Sequence, residues 1–133
     1  MNLNAWLHQN GYLALQNGMR ESGNYFDGVD WPRTRAYTFG LGGLYLNLHG
    51  REARGIVPLE HASALKAELI RKLTALKDDE TGETAIRNVH DSTAVYRGPY
   101  LHVAPDLLPG YAPGYRASWS AAVGRVSAYR FRR

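Results

Sequence analysis

The sequence predicts one domain of the α/β class, or of its α+β neighbour, and three observations carry that expectation. Leu44, Leu46 and Leu48 alternate with Tyr45, Asn47 and His49, which gives a strand one wholly aliphatic face. Leu65, Leu69, Leu73 and Leu76 fall at i, i+4, i+8 and i+11, so residues 58–76 read as one long amphipathic helix. The chain has 133 residues, 44% hydrophobic and 21% charged, which is ordinary for a globular domain. A chain of this size buries roughly two-thirds of the surface that its unfolded form exposes.

The elements follow in order. Asn2 or Asn4 caps a short helix through about Gln9, with Leu3, Trp6 and Leu7 on its apolar face, and Asn10-Gly11 stops it. Tyr12 to Leu15 is a short extended run. Residues 16–29 hold turn formers without a period and form a loop. Asp30-Trp31-Pro32 starts a single helical turn, with Asp30 as its cap. Arg35 to Phe39 is a strand, and Gly40-Leu41-Gly42-Gly43 turns it into the leucine strand, so the pair spans about 35–48. After the helix, Asp78 to Glu83 is a polar turn and Thr84 to Val89 a strand. Asp106-Leu107-Leu108 is a short strand between Pro105 and Pro109, and residues 110–116 are expected to be irregular because Pro109 just before them, Pro113 and two glycines oppose a long element.

Composition removes several functions. There is no cysteine, which excludes disulfides, thiolate nucleophiles and cysteine-based zinc sites. No apolar stretch approaches the ~20 residues that span a bilayer. The first residues lack the basic and apolar regions of a signal peptide, so a cytoplasmic address is expected and a membrane is not an expected partner. The net charge is +4, but Arg125, Arg130, Arg132 and Arg133 all lie in the last nine residues. Sixteen basic residues less these four leaves twelve, equal to the twelve acidic ones. The body is therefore neutral, residues 125–133 are expected to be a basic, disordered tail, and nucleic acid is not the expected partner.

Motifs of chemistry are sparse. His8, His49, His61, His90 and His102 show no metal-ligand spacing, and no serine or threonine sits in a nucleophile elbow. The glycines at 40, 42 and 43 lead into a strand rather than a helix, so they make a turn and not a phosphate cradle. Arg116 stands in an aromatic stretch from Tyr111 to Trp119, where a planar fork suits a phosphate or carboxylate. Arg116, Tyr111 and Tyr115 are the substrate-side candidates; no catalytic residue and no metal ligand is assigned.

Several pieces together resemble a known family. They are Asn2-Leu3-Asn4-Ala5-Trp6-Leu7 with Asn10-Gly11-Tyr12-Leu13, then Asp30 through Glu52, then Asp79-Glu80-Thr81-Gly82-Glu83. Tyr96-Arg97-Gly98-Pro99-Tyr100, Ala104-Pro105-Asp106-Leu107, Gly110-Tyr111, Gly114-Tyr115-Arg116 and Ser118-Trp119 complete the set. In this order they resemble the part of alkaline-phosphatase-superfamily phosphohydrolases, of the type I phosphodiesterase/nucleotide pyrophosphatase kind, between a Ser-Asp-His-Gly metal motif and a final Gly-Asp-His. Pro109 and the run after Gly124 depart from that pattern.

The resemblance implies a partial, mixed-sheet domain over residues 1–124. It also implies a family activity on phosphate esters with two divalent metals, usually zinc, and a serine or threonine nucleophile. The nucleophile and metal-ligand motifs have no counterpart in this sequence. The expectation is a truncated phosphohydrolase segment without activity or metal of its own. Such a segment would take a complementary chain or self-associate, and would meet a phosphate ester only if completed. A standalone anion-binding or protein-interaction module, or one half of a split metallohydrolase, is the alternative.

Overall fold

The computed structural model describes residues 1–40, 43–95 and 104–131, and their fold is α+β. Four strands, β1 (Ala36–Thr38), β2 (Leu44–Leu46), β3 (Ile86–Asp91) and β4 (Leu107–Tyr111), form one sheet in the order β1-β2-β4-β3. Every pairing between these strands is antiparallel, so the sheet is not mixed as the resemblance implied. The strand pair expected near 35–48 is present, with Ala36 opposite Leu46 and Thr38 opposite Leu44. Gly40 takes the left-handed φ of +77° at the turn; Leu41 and Gly42 lie outside the described residues.

Leu44, Leu46 and Leu48 are buried as their alternation predicts. Asn47, expected on the opposite, polar face, is buried too. Its amide nitrogen donates to the Thr34 carbonyl at 2.8 Å and the Arg54 carbonyl at 3.0 Å, which ties β2 to the segments on either side. Such a group is affordable in a core only with partners of this kind.

Two strands differ from expectation. β3 begins at Ile86 rather than Thr84, and its register shifts between Ile86 and Asn88. That irregularity breaks strict alternation, so Arg87 and Asn88 are both exposed between buried Ile86 and Val89. β4 runs through Pro109 and Gly110 to Tyr111, where irregular chain was expected. The Ser92 amide donates to the Asp106 carbonyl at 3.0 Å, and pairs along the ladder alternate from there. Val89 opposite Pro109 is then a non-hydrogen-bonded pair, and β2 meets β4 only at Leu107. The donor that proline lacks is missed by neither neighbour.

Helix α1 (Leu3–Gln9) is capped by Asn2, whose side-chain oxygen accepts from the Ala5 amide at 3.0 Å. Its buried Asn4 acts as a substitute strand for β1. The Asn4 side-chain oxygen accepts from the Thr38 amide at 2.7 Å and its nitrogen donates to the Thr38 carbonyl at 3.0 Å. Asp30 precedes a 3-10 turn, Trp31–Arg33, but its carboxylate takes the Arg33 Nε at 2.7 Å instead of capping the turn.

The long helix enters by a 3-10 turn at Leu59–His61 and continues as α2 (Ala62–Leu73). Leu65, Leu69 and Leu73 are buried against the sheet side of the core, so the stripe is covered. The helix stops three residues short of Leu76. Thr74 is extended, Ala75 has φ +63°, and the Leu76 carbonyl accepts from the Ala85 and Ile86 amides to lead into β3. A 3-10 turn at Asn24–Phe26 and two single-turn helices, α3 (Ser92–Val95) and α4 (Trp119–Ala122), complete the elements among the described residues.

Residues 125–131, expected to be a tail, lie against the rest of the described chain. Val126 is fully buried, and it exchanges bonds with Ser22: its amide donates to Ser22 Oγ and its carbonyl accepts from the Ser22 amide. The Arg130 carbonyl accepts from the Asn2 amide at 2.6 Å, and the Arg130 guanidinium reaches Gln9. The physical reason is Val126 and Ser127, an apolar and a small residue that fit against α1 and the loop after it. Arginine counting hides them. Arg132 and Arg133 lie outside the described residues. Among the described residues no helix is long and apolar enough to cross a membrane.

Candidate functional site

The three residues singled out from sequence lie near one another in the chain but in different surroundings. Tyr111 ends β4, half-buried against the core, and burial pushes its hydroxyl up to about 12. Tyr115 points its hydroxyl at carboxylates: it donates to Asp78 Oδ2 at 2.9 Å, with Glu83 Oε2 at 3.4 Å, and its ring meets Phe131 edge-on. Arg116 is exposed, and its carbonyl, not its guanidinium, makes the contact of note, accepting from the N-terminal ammonium at 2.8 Å. Two acidic groups around the Tyr115 hydroxyl disfavour an anion there, whereas Arg116 is open to one.

The most buried ionic arrangement lies elsewhere. Arg51 presents its fork to Asp106, with Nη1 to Oδ1 at 2.9 Å and Nη2 to Oδ2 at 2.7 Å. The same guanidinium donates to the Leu46 carbonyl at 2.7 Å, and its Nε meets Glu52 Oε1 at 2.5 Å. The side chains of Arg51, Glu52 and Asp106 are 30%, 15% and 9% exposed. The carboxylates hold the Arg51 guanidinium well above its ordinary range, while burial outweighs Arg51 and pushes the Glu52 carboxyl up.

Asp106 also closes the sheet. Its amide donates to the Leu44 carbonyl at 2.9 Å and its carboxylate accepts from the Leu46 amide at 2.7 Å, so it extends the short contact between β2 and β4. Sequence reading missed the cluster because its partners are 55 residues apart and Arg51 looks like any loop arginine. No local signal marks it.

A second cluster surrounds Tyr12. The Tyr12 hydroxyl donates to Glu68, the Arg35 guanidinium lies 4.8 Å from the centre of the ring, and Lys72 Nζ 5.2 Å from it. The bond from Tyr12 holds the Glu68 carboxyl below the usual range. Arg35, His61 and Glu68 line a cleft of about 280 Å³ with Ile56, Val57 and Leu65.

The most unusual surface is aromatic. Tyr25, Phe26, Trp31, Tyr37, Phe39 and Tyr45 line a concavity of about 380 Å³. Phe26, Trp31 and Tyr37 meet edge to face, with centroids 5.2–5.4 Å apart, and Tyr37 stacks on Tyr45 at 5.4 Å. Tyr25 and Phe26 both adopt left-handed backbone, with φ +54° and +61°. Two such residues in succession cost on the order of 1–3 kcal/mol each. Their amides are held in place by the carbonyls of Val123 and Gly124 at 2.7 and 2.9 Å. Sequence reading placed Tyr25 and Phe26 in a loop, since neither glycine nor asparagine marks the positive φ.

No group of three His, Asp or Glu residues that could hold a metal ion exists among the described residues; His102 lies outside them. Compared with family models, curated proteins and solved structures, the chain matches none.

Proposed function

We propose that this chain is the scaffold segment of an alkaline-phosphatase-superfamily phosphohydrolase, inactive alone, whose nucleophile and metal ligands belong to other sequence. The observation that carries the reading is the ordered set of sequence pieces across residues 2 to about 124. Its support from the geometry is that these pieces meet one another in pairs. Asn4 of the first piece bonds Thr38 of the second, and Arg51 of the second grips Asp106 of a later one. Tyr115 of the last reaches Glu83 of the Asp79–Glu83 piece.

On this reading the chain supplies sheet and loop structure beside an active site and works in the cytoplasm, with Arg116 as its substrate-side cation. The test is hydrolysis of an aryl phosphodiester together with zinc content. The isolated chain is expected to show neither metal-dependent turnover nor a molar equivalent of tightly held zinc. Joined to segments bearing the Ser-Asp-His-Gly and Gly-Asp-His motifs, it gains both. Turnover by the isolated chain would refute the division of labour, and a joined chain that stays inert and metal-free would refute the lineage.

A further inference from the structure

From the aromatic concavity and the ionic cluster behind it, we infer a binding site for a small, free alkylammonium cation of the quaternary type. All six described lining residues are aromatic, so a ligand there meets π faces and ring edges and, among the described residues, almost no hydrogen-bonding group. Aromatic faces carry negative quadrupoles and attract soft, weakly hydrated cations. A concavity of about 380 Å³ is of small-molecule size.

Charge selects the cation over a neutral apolar guest. Two carboxylates, Glu52 and Asp106, share the single guanidinium of Arg51, so the cluster carries one net negative charge. Its field reaches the rings. Burial pushes the Tyr37 hydroxyl up, and Glu52 adds to that shift more than Arg51 subtracts. Trp31 links the two regions, since it lines both the aromatic concavity and a neighbouring cavity of about 230 Å³ with Glu52, Asn47 and Arg54. Of the nearby cations, Arg33 is paired with Asp30 at 2.7 Å, and Arg54 lines the neighbouring cavity beside Glu52, yet the largest charge effects on the Tyr37 hydroxyl come from Glu52 and Arg51.

The strained backbone fits the same reading. Left-handed Tyr25 and Phe26 put adjacent side chains on the rim and the floor: Tyr25 is 72% exposed, while Phe26 packs against Trp31 and Tyr37. Strain held by bonds from Val123 and Gly124 is more readily understood at a binding surface than in a plain connection.

The test compares choline with its neutral isostere 3,3-dimethyl-1-butanol, by NMR titration of the Trp31 and Phe39 ring signals. Choline is expected to saturate these signals at millimolar concentration, about tenfold or more tighter than the isostere. Phe39→Leu keeps the bulk and removes the ring, and it should weaken choline several-fold while leaving the isostere little changed. Glu52→Gln should weaken choline alone. Trp119→Ala, which removes an exposed ring that does not line the concavity, should change neither. Equal affinity for the isostere, or shifts of a folded protein that avoid these rings, would overturn the inference. It is independent of the phosphohydrolase reading, which the zinc and turnover assays judge separately.

Discussion

Arg51 and Asp106 show how much one pair of side chains does here. Removing Arg51 would leave two partly buried carboxylates facing each other, whereas removing the Asp106 charge leaves Arg51 with Glu52. Arg51→Met is therefore expected to cost about 2–3 kcal/mol in urea unfolding at neutral pH, after discounting for the exposure of Arg51. Asp106→Asn should cost less, about 1 kcal/mol, since an amide still accepts from Leu46. The Arg51→Met cost should shrink as pH falls and Glu52, whose carboxyl burial pushes up, takes a proton. An equal or reversed ranking would contradict the assignment of net negative charge.

His8 gives a second residue-scale prediction. Burial lowers its pKa from the ordinary 6.5, so the unfolded chain takes up a proton before the folded one as pH falls. Stability contributed by neutral His8 is present above 6.5 and is lost as pH falls through that value toward the lower folded one. Thermal midpoints of His8→Gln measured across this window should fall less steeply than those of the parent.

At the scale of elements, local patterns told the truth where a pattern was local. The leucine stripe of α2, the alternation in β2 and the asparagine cap of α1 were all legible, because helix and strand periods leave their mark on consecutive residues. The end of α2 was not. Leu76 continues the apolar stripe at i+11, yet its carbonyl is taken by Ala85 and Ile86, a tertiary contact that outbids one more helical turn. β4 was misjudged for a similar reason: Pro109 is harmful only where its missing donor would face a partner, and sequence does not say that β2 meets β4 at Leu107 alone.

Gly55 belongs to this scale as well. A Cβ there would stand 1.9 Å from the Leu48 carbonyl oxygen, where the loop carrying Arg51 and Glu52 returns past the end of β2. The obstacle is backbone, so the loop itself must move. Gly55→Ala is expected to cost about 3 kcal/mol or more, by denaturant unfolding, and to release Arg51 from Asp106. A variant as stable as its parent would show that the loop is not held as described.

For the whole molecule, the chain ends matter more than composition suggested. The N-terminal residues, the 16–29 loop and residues 125–131 bind one another through Asn2, Ser22 and Val126. Truncation after Gly124 exposes the site of a fully buried valine and leaves the Asn2 and Ser22 amides without their partners. It should lower stability by about 2–4 kcal/mol, seen as a lower urea midpoint, whereas loss of a solvated tail would change nothing. Nothing in a run of arginines announces this, since a single valine carries the burial.

The same holds for function. The proposed phosphohydrolase lineage rests on an ordered set of sequence pieces alone, whereas the aromatic concavity draws Tyr25, Trp31, Phe39 and Tyr45 from separate segments that only folding assembles. The lineage is tested most directly by sequencing the DNA on both sides of this coding region and translating it in every frame. The account predicts a Ser-Asp-His-Gly motif encoded before the region and a Gly-Asp-His motif after it. Flanking DNA that encodes neither would contradict it.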